Sequence, residues 1–173
     1  MNRRHRNFRI AIGCILPLLM VCVLAPSAPA ADYNRNLLAG VKSVHVQVDR
    51  GIEGGIDGDR LQEEIERQVA DAGIRVLSSE EYGKFRMSKG YPFARLDITV
   101  QSDELGTGAG AFTLYRIAVV ARQKVMLERK ARIKIMAETW ERRIMAVDAG
   151  AETIKRQIME AVDRFISDLQ SAN

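Results

Sequence analysis

The sequence predicts an α+β fold, a two-layer sandwich whose mixed sheet of about five strands carries two main helices on one face. Three observations predict it. A run that alternates with period two is followed by an amphipathic helix and a second short apolar run, the spacing of a right-handed βαβ crossover. Three further alternating runs then succeed one another across short turns, as in an antiparallel meander. The chain closes on a helix with a continuous apolar stripe.

Ahead of these elements, the first thirty residues hold Arg3, Arg4, Arg6 and Arg9, no acidic residue, and both cysteines, Cys14 and Cys22. A basic start, an apolar run from Ile10 to Ala25 and the small-residue box Ala28-Pro29-Ala30 read as a secretory signal peptide over residues 1–30. His5 and Arg6 after the arginine pair point to the general secretory route, and neither cysteine stands where a lipoprotein cleavage box requires one. If it were retained, the segment would be an N-terminal anchor, although about sixteen residues with Pro17 inside are short against the roughly 20 that span a bilayer. The expected location is the periplasm, and residues 31–173 are expected to form one α+β domain. A membrane enters this reading only through an uncleaved leader.

The leader also accounts for the charge. The whole chain has 26 Lys+Arg against 22 Asp+Glu, net +4, and from Ala31 onward the two classes balance at 22 each. That removes the case for nucleic acid, which rests on a basic excess. No cysteine follows residue 30, so neither a disulfide nor a thiolate metal site is expected. His45 is the one histidine left, which excludes a site built on several.

Along the chain, Val44, Val46 and Val48 alternate with His45, Gln47 and Asp49 in a strand over Val41 to Asp49. A turn-rich stretch, Gly51 to Gly58, leads to a helix expected to start at Asp59 as its cap, with Gln62 at the reciprocal position. Leu61, Ile65, Val69 and Ala72 share one helical face, Gly73 ends it, and Ile74 to Leu77 reads as a short strand. Ser78 and Glu81 form a capping box for a short helix. Ala94, Leu96, Ile98 and Val100 then alternate with Arg95, Asp97, Thr99 and Gln101, and Gly106 to Gly110 is a flexible hairpin connection. The strand that follows, Ala111 to Leu127, is long enough that it is expected to bend or carry a bulge near Arg122-Gln123. Glu128-Arg129-Lys130 turns into a third strand, Ala131 to Glu141, with Ile133, Ile135, Ala137 and Thr139 on one side. Ile154, Ile158, Val162, Phe165 and Leu169 mark the last helix, Ala149 to Leu169.

Two surfaces qualify as candidate sites. The segment from Tyr82 to Phe93 places Tyr82, Phe85, Tyr91 and Phe93 among Lys84, Arg86 and Lys89. Rings interleaved with cations suit an acidic peptide, lipid headgroups or an anionic sugar polymer. The same pattern also suits a short helix whose Tyr82 and Phe85 seal the end of the core. The second surface is the sheet face away from the helices, with His45, Gln47, Arg95, Asp97, Thr99, Arg116, Arg132, Lys134 and Glu138. It reads either as a solvated face with mixed-sign pairs or as a docking face.

Catalytic and metal readings fare worse. The glycine-rich stretch matches no phosphate-binding fingerprint, and Asp57 and Asp59 would repel phosphate. Asp49, Glu53, Asp57 and Asp59 lack EF-hand spacing, with Arg60 where the closing glutamate belongs. His45 and Asp97 could share a sheet face, but no serine sits in a nucleophile elbow. Glu63, Glu64 and Glu66 belong to the polar side of a helix, and Trp140 reads as a core or edge-sealing residue.

Taken together, the Val44-His45-Val46-Gln47-Val48 strand, Ala72-Gly73-Ile74, Arg95-Leu96-Asp97-Ile98, Glu138-Thr139-Trp140 and a last helix containing Phe165 resemble small exported bacterial proteins of unassigned function. Their order is similar to the N-terminal domain of TolB and related periplasmic modules. The resemblance implies an interaction or assembly module of the cell envelope, with no catalytic residues and no cofactor. TolB's propeller has no counterpart here, so its partners do not carry over. The expected function is a non-enzymatic module binding an envelope protein or a second copy of itself. The alternative is a small-molecule or polysaccharide-binding module with a concave pocket beside residues 82–93.

Overall fold

The computed structural model describes residues 36–88, 92–127 and 129–173. The signal-peptide reading, Lys89 and Tyr91 lie outside the described residues. The elements run β1 (Ser43–Val48), α1 (Gly58–Asp71), β2 (Arg75–Val76), α2 (Ser79–Met87), β3 (Phe93–Leu105), β4 (Phe112–Leu127), β5 (Lys130–Val147) and α3 (Ala151–Ala172), with one 3-10 turn at Gly108–Gly110. Five strands form one mixed sheet in the order β2-β1-β3-β4-β5, with β1 parallel to both neighbours and β3, β4 and β5 antiparallel.

One face of this sheet is covered as the apolar pattern requires. Val44, Val46, Ala94, Leu96, Ile98, Ile117, Val119 and Ala121 are buried against Leu61, Ile65 and Val69 of α1 and Ile154, Ile158, Val162, Phe165 and Leu169 of α3. The two helices are tied along their polar margins, where Lys155 pairs with Glu64 at 2.6 Å, Gln68 donates to Asp163, and Gln170 donates to the Ala72 carbonyl. The hydrogen bond from Lys155 holds the Glu64 carboxyl below its ordinary pKa, against a smaller desolvation cost.

The cap of α1 corrects the reading at Asp59. Asp57 is the N-cap, in extended conformation, and its carboxylate accepts from the Arg60 N–H at 3.1 Å, while Asp59 is already in the first turn. Arg60 therefore occupies the reciprocal position. Gln62 instead reaches β1, accepting from the Val48 N–H at 3.3 Å and donating to Glu66.

The short helix α2 lies on the other face. Its position follows from strand order: β1 to β2 steps one way with α1 on the first face, and β2 to β3 steps back over β1, so a right-handed connection must cross on the opposite face. The capping box forms as its residues predict, with Ser78 Oγ accepting from the Glu81 N–H and Glu81 accepting from the Ser78 N–H at 3.1 Å and from Arg75 at 2.7 Å. These bonds, the Ser78 backbone first and Arg75 second, hold the Glu81 carboxyl below its ordinary pKa. A depressed folded-state pKa means the cap's contribution is full above the unfolded value and is lost as pH falls through the folded one. Amide protection of residues 79–87 should therefore persist to below the ordinary glutamate pKa of 4.5 and then drop. In Glu81→Ala that protection should already be weak at neutral pH, with no acid step; a pH-independent wild type would exclude the box as the anchor of α2.

The meander contains the largest departure from the sequence reading. The register shift falls beside Arg122, but the extra residue is Thr139 on the partner strand, since Ala121 faces Trp140 and Arg122 faces Glu138. The expected bulge on β4 is therefore a bulge on β5. Thr139, the inserted residue, and Trp140 are consecutive and both buried. The insertion turns Trp140 into the core, where its Nε1–H donates to Asp168 Oδ2 at 3.0 Å. Strand β5 also runs to Val147, six residues past the expected end at Glu141, and β3 runs to Leu105 instead of Gln101.

Candidate interaction face

The sheet face opposite α1 and α3 is built from alternate residues of three antiparallel strands. The register lines them up in rows: Arg95, Arg122 and Glu138; Asp97, Val120 and Glu141; Thr99, Ala118 and Arg143; Gln101, Arg116 and Met145. Ala118 and Val120 make an apolar floor, and charged side chains rise around it. The result is a groove of about 620 Å³ lined by Asp97, Thr99, Gln101, Arg116, Val120, Arg122, Glu138 and Arg143 among others.

Electrostatically the rim is a ladder of alternating sign. Arg95 Nε lies 2.8 Å from Asp97 Oδ1, and Arg122 Nη1 donates to Asp97 Oδ2 at 2.7 Å. Arg122 Nη2 reaches Glu138 at 2.9 Å, and Arg143 lies 3.6 Å from Glu138 and 2.8 Å from Glu141. Arg116 pairs with Asp103 at 2.8 Å. Burial works against the Arg95 charge, but the Asp97 carboxylate outweighs it, with Tyr82 adding, and the guanidinium pKa is raised.

At one end α2 closes the face. Tyr82 stacks on His45 with ring centroids 4.3 Å apart and meets Phe93 edge-on at 5.5 Å. Leu77, Tyr82 and Phe93 form a small second core with Phe85 against it. Of the aromatic–basic segment, Tyr82 and Phe93 are thus packed inward and Phe85 is half-buried. Lys84 and Arg86 are exposed, Lys84 pairing with Glu80. The groove above and its smaller neighbour along Gln47, Asp49, Arg50 and Arg95 are not lined by Tyr82, Phe85 or Phe93.

His45 and Asp97 share the face but do not meet. His45 Nδ1 faces the Leu77 carbonyl at 3.0 Å, so that nitrogen carries the proton, and the ring lies under Tyr82. Asp97 has its oxygens on two guanidiniums. The carboxylates along this groove, Asp97 and Glu138, are each paired with an arginine. Among the described residues no three His, Cys, Asp or Glu side chains gather as a metal-ligand set. This arrangement presents an apolar strip flanked by ordered charge.

Sequence reasoning placed Arg95, Asp97, Thr99, Arg116 and Glu138 on this face and missed Arg122, Glu141, Arg143 and Met145. The bulge at Thr139 hides the parity of everything beyond it, and the adjacent pair Arg142-Arg143 reads as the end of a strand. The chain is an α+β protein with one helix-covered and one largely open sheet face. No protein-family model matches it and no curated protein does. Solved structures similar to it include a hypothetical protein from Chlamydia trachomatis, at 8% identity over 73% of this chain and 98% of that one with a TM-score of 0.37. A minor lipoprotein from Acinetobacter baumannii is similar at 13% identity over 76% and 86%, with a TM-score of 0.30. Neither likeness is close enough to carry an argument, and the resemblance to the TolB N-terminal domain rests on the sequence pattern.

Proposed function

We propose that this protein is a non-enzymatic module of the cell envelope that works in the periplasm and binds a protein partner on the open face of its sheet. The observation that supports this is the groove between β3 and β5, an apolar floor at Ala118 and Val120 inside a ladder of paired charges. Pre-paired side chains are held in place before a partner arrives, which lowers the ordering cost of binding. Their alternating sign selects a partner of matching charge pattern. The leader-like first thirty residues supply the compartment.

The test is photo-crosslinking in intact cells, with a benzophenone amino acid at Ala118 or Gln101 and a control at Arg67 on the exposed side of α1. The expected result is a discrete adduct from Ala118 and Gln101 and none from Arg67. An adduct with a second copy of the chain identifies the partner as itself. Adducts from position 85 on α2 with none from the sheet face would overturn the open-face reading and return the site to the aromatic–basic segment.

A further inference from the structure

Residues 124–127 and 129–136 leave the body of the sheet. The β3–β4 register ends with Ala94 opposite Gln123, so beyond that point β4 pairs only with β5: Lys124 with Met136, Val125 with Ile135, Met126 with Lys134. The root of this two-stranded arm is fastened to α2, where Lys124 Nζ donates to the Arg86 and Ser88 carbonyls. Strand alternation puts Val125, Ile133 and Ile135 on one face of the arm and Lys124, Met126, Lys134 and Met136 on the other. Ile133 and Ile135 are each 43% exposed and Met126 is 63% exposed, while Met87, at the end of α2 beside the root, is 83% exposed.

Charge gathers at the same end. Residues 124–136 hold five basic residues against one acidic, whereas the rest of residues 31–173 holds 17 basic against 21 acidic. The balanced total conceals a basic arm on an acidic body, and Lys84 and Arg86 extend the basic pole. The opposite end of the sheet also exposes Leu105, Phe112 and Val147, but there the neighbours in sequence are Asp103, Glu104 and Asp148. On the arm, apolar exposure and positive charge coincide.

We propose that this arm docks the protein on an anionic phospholipid surface, independently of what the open face binds. The aliphatic face enters the boundary between headgroups and acyl chains, and Arg129 and Lys134 meet lipid phosphates with their stems along the apolar layer. A soluble polyanion would answer the charge and leave Ile133 and Ile135 in water. An uncharged apolar groove would take the isoleucines and leave the charge unanswered. An anionic bilayer surface meets both requirements and repels the acidic body, so the protein approaches arm first. Depth is limited to the interface, because a two-stranded ribbon has open edges whose backbone groups hydrocarbon cannot satisfy.

Hydrogen–deuterium exchange of the full chain on vesicles tests this, since the leader's own binding is then read in its own peptides. On phosphatidylglycerol vesicles, exchange over residues 124–136 should slow by roughly tenfold or more, as expected when several basic residues each meet an anionic surface. Phosphatidylcholine vesicles should give no such slowing, and roughly 0.5 M salt should remove most of it. Ile133→Ser/Ile135→Ser and, separately, Arg129→Glu/Lys134→Glu should each abolish it while leaving exchange in β3 and α3 unchanged. No slowing on phosphatidylglycerol, or equal slowing on both lipids, overturns the proposal. Equal protection by soluble polyphosphate that survives the isoleucine substitutions also overturns it and makes the arm a polyanion site.

Discussion

Replacing Phe165 with alanine should lower the unfolding free energy by about 4 kcal/mol, the middle of the range for a buried aromatic truncated to Ala. Phe165 is fully buried, in the middle of the α3 stripe, and it is the largest of the wholly enclosed side chains. Its ring meets Trp140 edge-on at 5.3 Å and 66°, a contact of about 0.5–1.5 kcal/mol beyond area burial. The cavity left behind would be walled by sheet on one side and by α3 on the other. Trp140 cannot swing to fill it without giving up its bond to Asp168. Denaturant unfolding with α-helical and tryptophan signals measures the loss, and Phe165→Leu serves as the control at less than about 1.5 kcal/mol. A loss for Phe165→Ala as small as that of the leucine control would mean that α3 settles into the gap and is not pinned to β5 by this pair.

The residues in that prediction show how the fold was legible in one region and hidden in another. Periodicity alone placed Phe165, because α3 is one uninterrupted helix over one apolar surface. Trp140 was harder, since the count along β5 breaks at Thr139 and the sequence carries no glycine or proline there to mark the insertion. The buried side of β1 was read from Val44, Val46 and Val48, yet Ser43 and His45 are buried too. His45 is covered by α2, which has only Tyr82 fully turned inward and so little periodicity of its own. Its side of the sheet follows from strand order, and strand order is a long-range property that no local window contains.

The same reasoning separates the two surfaces. The groove face depends on register, because Asp97 meets Arg122 only if β3 and β4 pair as they do, and a one-residue slip would carry every one of these side chains to the helix layer. The arm depends on strand length, because its exposure results from β4 and β5 outrunning β3. Its basic excess was present in the sequence all along, cancelled in the total by acidic residues elsewhere. Net charge averages over a surface, whereas binding responds to the local field.

Asp97→Ala should destabilise the protein by about 2–3 kcal/mol, less than the roughly 3–5 expected for breaking a fully buried pair, because the two guanidiniums it serves keep some contact with water. Asp97 stands between Arg95 and Arg122, whose side chains are 25% and 34% exposed. Without it Arg122 retains Glu138, but Arg95 is left with the Tyr82 hydroxyl at 3.4 Å and a like charge across the strand pair. Arg122→Ala should cost less, since Asp97 then still accepts from Arg95. A triple variant, Arg95→Met/Asp97→Leu/Arg122→Met, should recover most of the Asp97→Ala loss, because removing all three charges leaves none of them uncompensated on the face. Chemical denaturation compares the three directly, and crosslinking from position 118 can be read on the triple variant. If the triple variant is stable yet gives no adduct, the ladder is there for recognition, with stability coming from the core beneath it. A loss below about 0.5 kcal/mol for Asp97→Ala would place these pairs with ordinary surface salt bridges and leave the apolar floor as the only organised feature of the face.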